Sequence, residues 1–225
     1  MSLSSLSDSS QNYLKAVWSL NEWSEKPVTA STIAARVGVR LSTASDAIRK
    51  LTAQGLLEHS PYGDVKLTPE GQVLALAVVR RHRLIETFLV EILGYTWDQV
   101  HDEAENLEHS ISDFMAERID SLLGFPERDP HGDPIPRSDG TISIPHAMPL
   151  SSLPVGTRAR VERISDNDPA LLQFFADRGL LYGVVIEKQP SPPFSQACDV
   201  MIEGSGMILS LGTTATDAIW VSAST

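Results

Sequence analysis

Apolar positions at Tyr13, Leu14, Val17, Trp18 and Leu20 recur at the spacing of one helix face, and Pro27 ends that run. A second helical stretch follows Thr29 and carries Ile33, Ala34 and Val37 up to Gly38, a residue type that closes helices in the left-handed conformation. A third runs from Ser42 to Leu51 after a short turn. This spacing predicts a helix-turn-helix with Ile33, Ala34, Val37, Val39, Ala44, Ile48 and Leu51 in its core. Gly55 closes the last helix, and Leu56–His59 and Val65–Leu67 read as two short strands around Pro61-Tyr62-Gly63-Asp64. A hairpin in that place predicts the wing of a winged helix. Thr68 and Pro69 suit the N-cap and first position of a long helix that carries Leu74, Leu76, Val79, Leu84, Phe88, Leu89 and Ile92 and stops at Gly94.

The pattern then predicts a second long helix from about Asp98 to Leu123, ended by Gly124-Phe125-Pro126. Two long amphipathic helices offer more apolar surface than one small winged domain covers, so a homodimer is expected. From Pro126 to Pro149 prolines and glycines accumulate, as in a linker or extended segment. Beyond it, candidate strands at 157–161, 184–188, 199–203, 207–211 and 218–221, with a helix near 169–178, suggest a small, partly open β-barrel. Pro190-Ser191-Pro192-Pro193 reads as a turn between strands. The expected class is mainly α with small β parts, in domains over residues 1–72, 73–144 and 145–225.

Charge changes this picture in one respect. A net charge of -11 over 225 residues argues globally against nucleic acid, yet Lys26, Arg36, Arg40, Arg49 and Lys50 crowd one segment while acids accumulate from Glu86 onward. Such asymmetry lets a basic face meet DNA while the other half stays acidic. The lone Cys198 excludes an internal disulfide framework and a cysteine-rich zinc module. No apolar stretch approaches the roughly 18 residues of a membrane helix, and the N-terminus lacks the features of a signal peptide. A cytoplasmic location is expected.

The candidate chemistry lies in His82-(x3)-Glu86 and His101-(x3)-Glu105-(x2)-Glu108-His109. Offsets of 4, 7 and 8 from His101 fall within an arc of roughly 100° on a helix, so these side chains can converge. A single His/Glu pair is often an ordinary surface contact. Here Val100, Ala104, Leu107 and Ile111 form an apolar stripe beside the arc, where grouped carboxylates repel unless protonated or metal-bound. Imidazole plus carboxylate suits Mn, Fe, Co, Ni or Zn rather than Cu(I). A rival reading, a metal-dependent dinuclear enzyme, expects Glu-x-x-His on two helices. The residues three before His109 and His82 are Asn106 and Val79, so that pattern fails and no enzyme is expected. A winged-helix regulator sensing a non-metal ligand is the other alternative.

Taken together, Arg81-His82-Arg83-Leu84-Ile85-Glu86, the run from Val100 through Asp113, and Asp129-Pro-His-Gly-Asp-Pro-Ile-Pro136 resemble the diphtheria toxin repressor family of metal-dependent transcriptional regulators. The resemblance covers nearly the whole chain. It implies an N-terminal winged helix, a helical dimerisation and metal-binding middle, and a C-terminal domain similar to SH3 or FeoA barrels. It assigns His82, Glu86 and His101 to an ancillary metal site and Glu105, Glu108 and His109 to a primary one. Glu105 stands where the iron-responsive branch carries Cys, which implies the manganese-responsive branch, because a carboxylate is a harder ligand than a thiolate. Mn(II) is the expected metal, with Fe(II), Co(II), Ni(II) or Zn(II) able to bind in vitro. A further ligand position of that branch falls at Asn12, with Asp8 as a substitute, and another at Lys15, whose ammonium cannot ligate. From the C-terminal domain, Asp168 is the match, with Asp166 nearby.

The implied function is a homodimeric repressor that binds operator DNA when metal-loaded, its winged domains held about 34 Å apart or a multiple of it. Ser42, Thr43, Ser45 and Asp46 open the recognition helix, where short polar groups touch base edges, while Arg36, Arg40, Arg49 and Lys50 reach phosphates.

Overall fold

The computed structural model describes all residues except 1, 2, 25, 61, 62, 193–196, 224 and 225. The tip of the expected wing, at Pro61 and Tyr62, and Pro193 of the expected turn lie outside the described residues. The chain divides into two compact units, one of Met1–His82, Glu108–Ile111 and Pro136–Thr141, the other of Arg83–Leu107, Ser112–Ile135 and Ile142–Thr225.

In the first unit, helices α1 (Asp8–Glu22), α2 (Ala30–Val37) and α3 (Leu41–Ala53) precede strands β1 (Leu57–His59) and β2 (Val65–Leu67), and helix α4 (Pro69–Glu91) begins. Local signals set these boundaries. The Thr29 hydroxyl accepts from the Thr32 N–H while the Thr32 hydroxyl accepts from the Thr29 N–H, a capping box that starts α2. Gly38, at φ 71°, ends it. The strands pair antiparallel, Leu57 with Leu67 and His59 with Val65. Thr68 accepts from the Gly71 N–H at 3.0 Å, and its hydroxyl donates to the Gly55 carbonyl at 2.8 Å. The core gathers Leu14, Val17, Ile33, Ala44, Ile48, Leu51, Leu56 and Val65, each large member stabilising the unit by about 1.5–3 kcal/mol. Val39 departs from expectation: it follows the left-handed Gly38 in the turn and is 36% exposed.

In the second unit, the single helix expected over 98–123 is two helices, α5 (Val100–Leu107) and α6 (Asp113–Leu122). Ser112 starts the second by accepting from the Met115 N–H at 3.2 Å. The apolar spacing of Leu107 and Ile111 runs on through the break, so periodicity alone could not show it. Strands β3 (Met148–Pro149), β4 (Arg158–Ile164), β5 (Val185–Gln189), β6 (Cys198–Ile202), β7 (Ile208–Leu211) and β8 (Ile219–Ala223) form one antiparallel sheet. Their order is β3-β8-β4-β5-β6-β7. Helix α7 (Pro169–Ala176) follows β4, and α8 (Thr213–Asp217) follows β7. Among the described residues β3 and β7 do not pair, so the expected barrel is an open sheet. Its core includes Leu150, Val161, Ile164, Leu172, Phe175, Val200 and Ile219. Among the described residues no helix is long and apolar enough to cross a membrane.

Candidate metal centre and DNA-contacting face

The recognition helix keeps its expected polar face. Arg36, Arg40, Ser42, Thr43, Asp46, Arg49 and Lys50 are exposed and Ser45 is half-buried, while Ala44, Ile48 and Leu51 on the opposite side enter the core. Arg49 pairs with Asp46 at 3.1 Å, and both are largely exposed, so this pair is of little worth to stability.

In the second unit, α4 supplies Glu86, α5 supplies His101, and the segment after β4 supplies Asp166. A ligand atom of each lies within 4.8 Å of the other two. His101 Nδ1 is 2.9 Å from Asp166 Oδ2 and 3.5 Å from Glu86 Oε1, and its Nε2 is 3.7 Å from Glu105 Oε1. Burial opposes charge on His101, but hydrogen bonds and attraction from Asp166 and Glu86 prevail and raise its pKa to about 10. Burial alone would raise Asp166; its bond to His101 and the nearby cations hold it well below the carboxylate range instead. Asp168 is not the member from this domain. Its exposed carboxylate caps α7, accepting from the Ala170 and Leu171 N–H groups, with Pro169 in the first turn.

Behind Glu86 lies a tight loop, residues 129–135, which holds residues outside the ligand set expected from the sequence. Asp129 Oδ1 accepts from the His131 and Asp133 N–H groups, both at 2.9 Å. Arg83 Nη1 donates to the Pro134 carbonyl at 2.6 Å, and Arg163 Nε donates to Asp133 Oδ1 at 2.6 Å. The fully buried His131 stacks on Trp97 and donates from Nε2 to the Trp97 carbonyl at 2.8 Å. That bond leaves Nδ1 turned inward, 3.9 Å from Glu86 Oε2, with no hydrogen-bond partner among the described residues. Burial works against charge on His131, yet Glu86 and Asp129 raise its pKa, while burial and the charge of Asp133 push Asp129 up to about 8. A carbonyl behind one ring nitrogen, a bare second nitrogen and a carboxylate facing it is the surrounding of a metal-binding histidine. The donor set therefore fits a divalent cation. The signal that could have found His131 is a lone histidine between Pro130 and Gly132, carried by an otherwise ligand-like Asp-Pro-His run.

The first unit holds the other cluster. Glu108 is 0% exposed, and Lys15 of α1 donates to both its oxygens, at 2.6 and 2.8 Å. His82 Nδ1 lies 2.7 Å from Glu108 Oε2. His109 Nε2 lies 2.6 Å from Asn12 Oδ1 and 3.3 Å from Glu108 Oε1. The Gln11 amide donates to the Leu3 and Leu6 carbonyls, which turns its oxygen to accept from His109 Nδ1 at 3.0 Å. Nε2 thus meets two oxygens, an arrangement that a cation completes. Asp8 opens α1 at an exposed position and does not replace Asn12.

Three stretches of the chain match known domain families. Residues 5–65 match the iron dependent repressor N-terminal DNA binding domain, 68–137 the iron dependent repressor metal binding and dimerisation domain, and 148–223 the FeoA domain. An iron-dependent repressor of Mycobacterium leprae is 30% identical over 84% of this chain and 87% of its own length. The chain belongs to the iron-dependent, or diphtheria toxin, repressor family. The diphtheria toxin repressor of Corynebacterium glutamicum is 33% identical over 81% of this chain and 84% of its own. A manganese-dependent transcriptional repressor solved in complex with manganese superposes with a TM-score of 0.91, at 48% identity, over 96% of this chain and all of that one.

Proposed function

We propose that this chain is a Mn(II)-dependent homodimeric transcriptional repressor, which binds operator DNA when metal-loaded and so controls metal homeostasis in the cytoplasm. The observation that carries the reading is the buried set of nitrogen and oxygen donors in each unit, in a chain that also presents a winged helix. In the second unit Glu86, His101 and Asp166 would hold one cation, with His131 and Asp129 as further donors. In the first, Glu108, His109, Asn12 and His82 would hold another, and Glu105 joins the ligands on its place in the sequence. These donors contain no sulfur, which favours Mn(II) over softer or later ions, and Fe(II) is the nearest competitor. The bound metal supplies positive charge that ties these ligands together. It strengthens DNA binding only as far as it prefers the DNA-competent conformation. The apolar face of α6, with Phe114 75% exposed and Met115 and Leu122 beside it, suits a second copy of the chain.

The test is selection of duplexes from a random DNA pool by the full-length protein, with Mn(II) or with a chelator. An inverted repeat enriched only with Mn(II) is the expected result; equal enrichment under chelation overturns the reading. Arg49→Ala should then weaken binding to all selected sequences alike and reduce the salt slope by about 1, as loss of one phosphate contact requires. His101→Ala should raise the Mn(II) concentration needed for half-maximal binding about tenfold or more, the usual scale for losing a ligand or its support.

A further inference from the structure

Lys15 occupies the place at Glu108 where a metal would need its electron pairs. Its ammonium is 2.6 Å from one oxygen and 2.8 Å from the other, a position astride both, and the side chain is 11% exposed. Glu108 is completely buried, and His82 Nδ1 and His109 Nε2 approach the same two oxygens at 2.7 and 3.3 Å. A divalent ion placed on this carboxylate would meet a positive charge at contact distance in a poorly screened environment, where such repulsion is severe. The two cations are alternatives. Lysine is suited to being displaced, because its charge sits on a flexible four-carbon stem.

We infer that Lys15 is a built-in competitor of the metal at the Glu108–His109 cluster: its ammonium neutralises Glu108 in the metal-free protein, must leave before the ion binds, and thereby sets the metal concentration to which that cluster responds. The inference rests on the reading of Glu108 and His109 as metal ligands. It also accounts for how a buried carboxylate is tolerated when no metal is bound. Without the ammonium, Glu108 would be an uncompensated charge in the interior.

The test is calorimetric titration of the full-length protein with Mn(II), with His101→Ala in the background to silence the second unit's cluster. Lys15→Gln keeps a donor for Glu108 but removes the charge, and is expected to tighten Mn(II) binding at least tenfold. Lys15→Arg grips the carboxylate with a planar fork and is expected to weaken binding several-fold, which provides a folded second comparison. In metal-free melts, Lys15→Gln should lower the melting temperature, and Mn(II) should then raise it by more than it raises that of the parent. Equal Mn(II) affinity in the Lys15, Gln and Arg proteins overturns the competition while leaving the proposed function intact. Failure of the unsubstituted chain to bind Mn(II) at all overturns both.

Discussion

Glu108→Ala is expected to destabilise the metal-free protein by about 3–5 kcal/mol, the range for removing one partner of a buried ion pair, and to abolish metal-activated DNA binding. The size follows from what the substitution leaves behind. Lys15 stays 9% exposed with its ammonium aimed at a site that no longer holds a charge, and His82 Nδ1 loses its contact as well. For a chain of this length such a loss corresponds to a fall in melting temperature of roughly 6–20 °C. Circular dichroism melts in chelator measure it, and Glu108→Ala melting within a degree of the parent would show that the pair contributes nothing to stability. Introducing Lys15→Met in the same protein removes the stranded ammonium and should recover much of the loss, since a matched apolar replacement of a buried pair is often neutral.

This outcome could not have been read from the sequence, and the reason is general to the site. Glu108 and His109 were expected among the ligands because the sequence puts them on one helical arc with His101, an arc that the end of α5 at Leu107 cuts short; Lys15 lies 93 residues away and no periodicity links it to Glu108. The contact of His82 with Glu108 was hidden for a related reason. A spacing of four residues puts His82 near Glu86 along α4, yet the partner of its Nδ1 is set by packing, which brings Glu108 within 2.7 Å. The winged helix was far more legible, since the Thr29 capping box, Gly38 and the Thr68–Pro69 start are local signals that act within a few residues. Asp168 shows a local signal left unused: an aspartate directly before a proline is a helix start, and that role competes with ligation. Asp166, two residues earlier, has no such duty and reaches His101.

Gly132→Ala is the second substitution with a large expected effect. Gly132 sits at φ +93°, where a side chain is strained, and a Cβ there would lie 2.2 Å from the Glu162 carbonyl oxygen and 2.6 Å from the Tyr182 ring. The first of these neighbours is backbone of β4 and cannot turn aside. Strain of about 1–3 kcal/mol adds to the overlap, so the 129–135 loop should leave its seat and carry Asp129 and His131 away from Glu86. A drop in the melting temperature of several degrees, together with weaker Mn(II) binding measured by calorimetry, is the expected pair of results. A Gly132→Ala protein that melts and binds Mn(II) like the parent would mean that the loop does not support the site.

Glu86 addresses His101 with one oxygen and His131 with the other, at 3.5 and 3.9 Å. One rigid carboxylate group therefore serves two masters, and any torsion that brings it closer to one imidazole withdraws it from the other. In energetic terms the two histidines form a coupled pair rather than two independent contributions, and losses on removing each do not sum when both are removed. The Pro-rich loop and α5, distant in the chain, thus share a single degree of freedom, the rotation of one glutamate side chain.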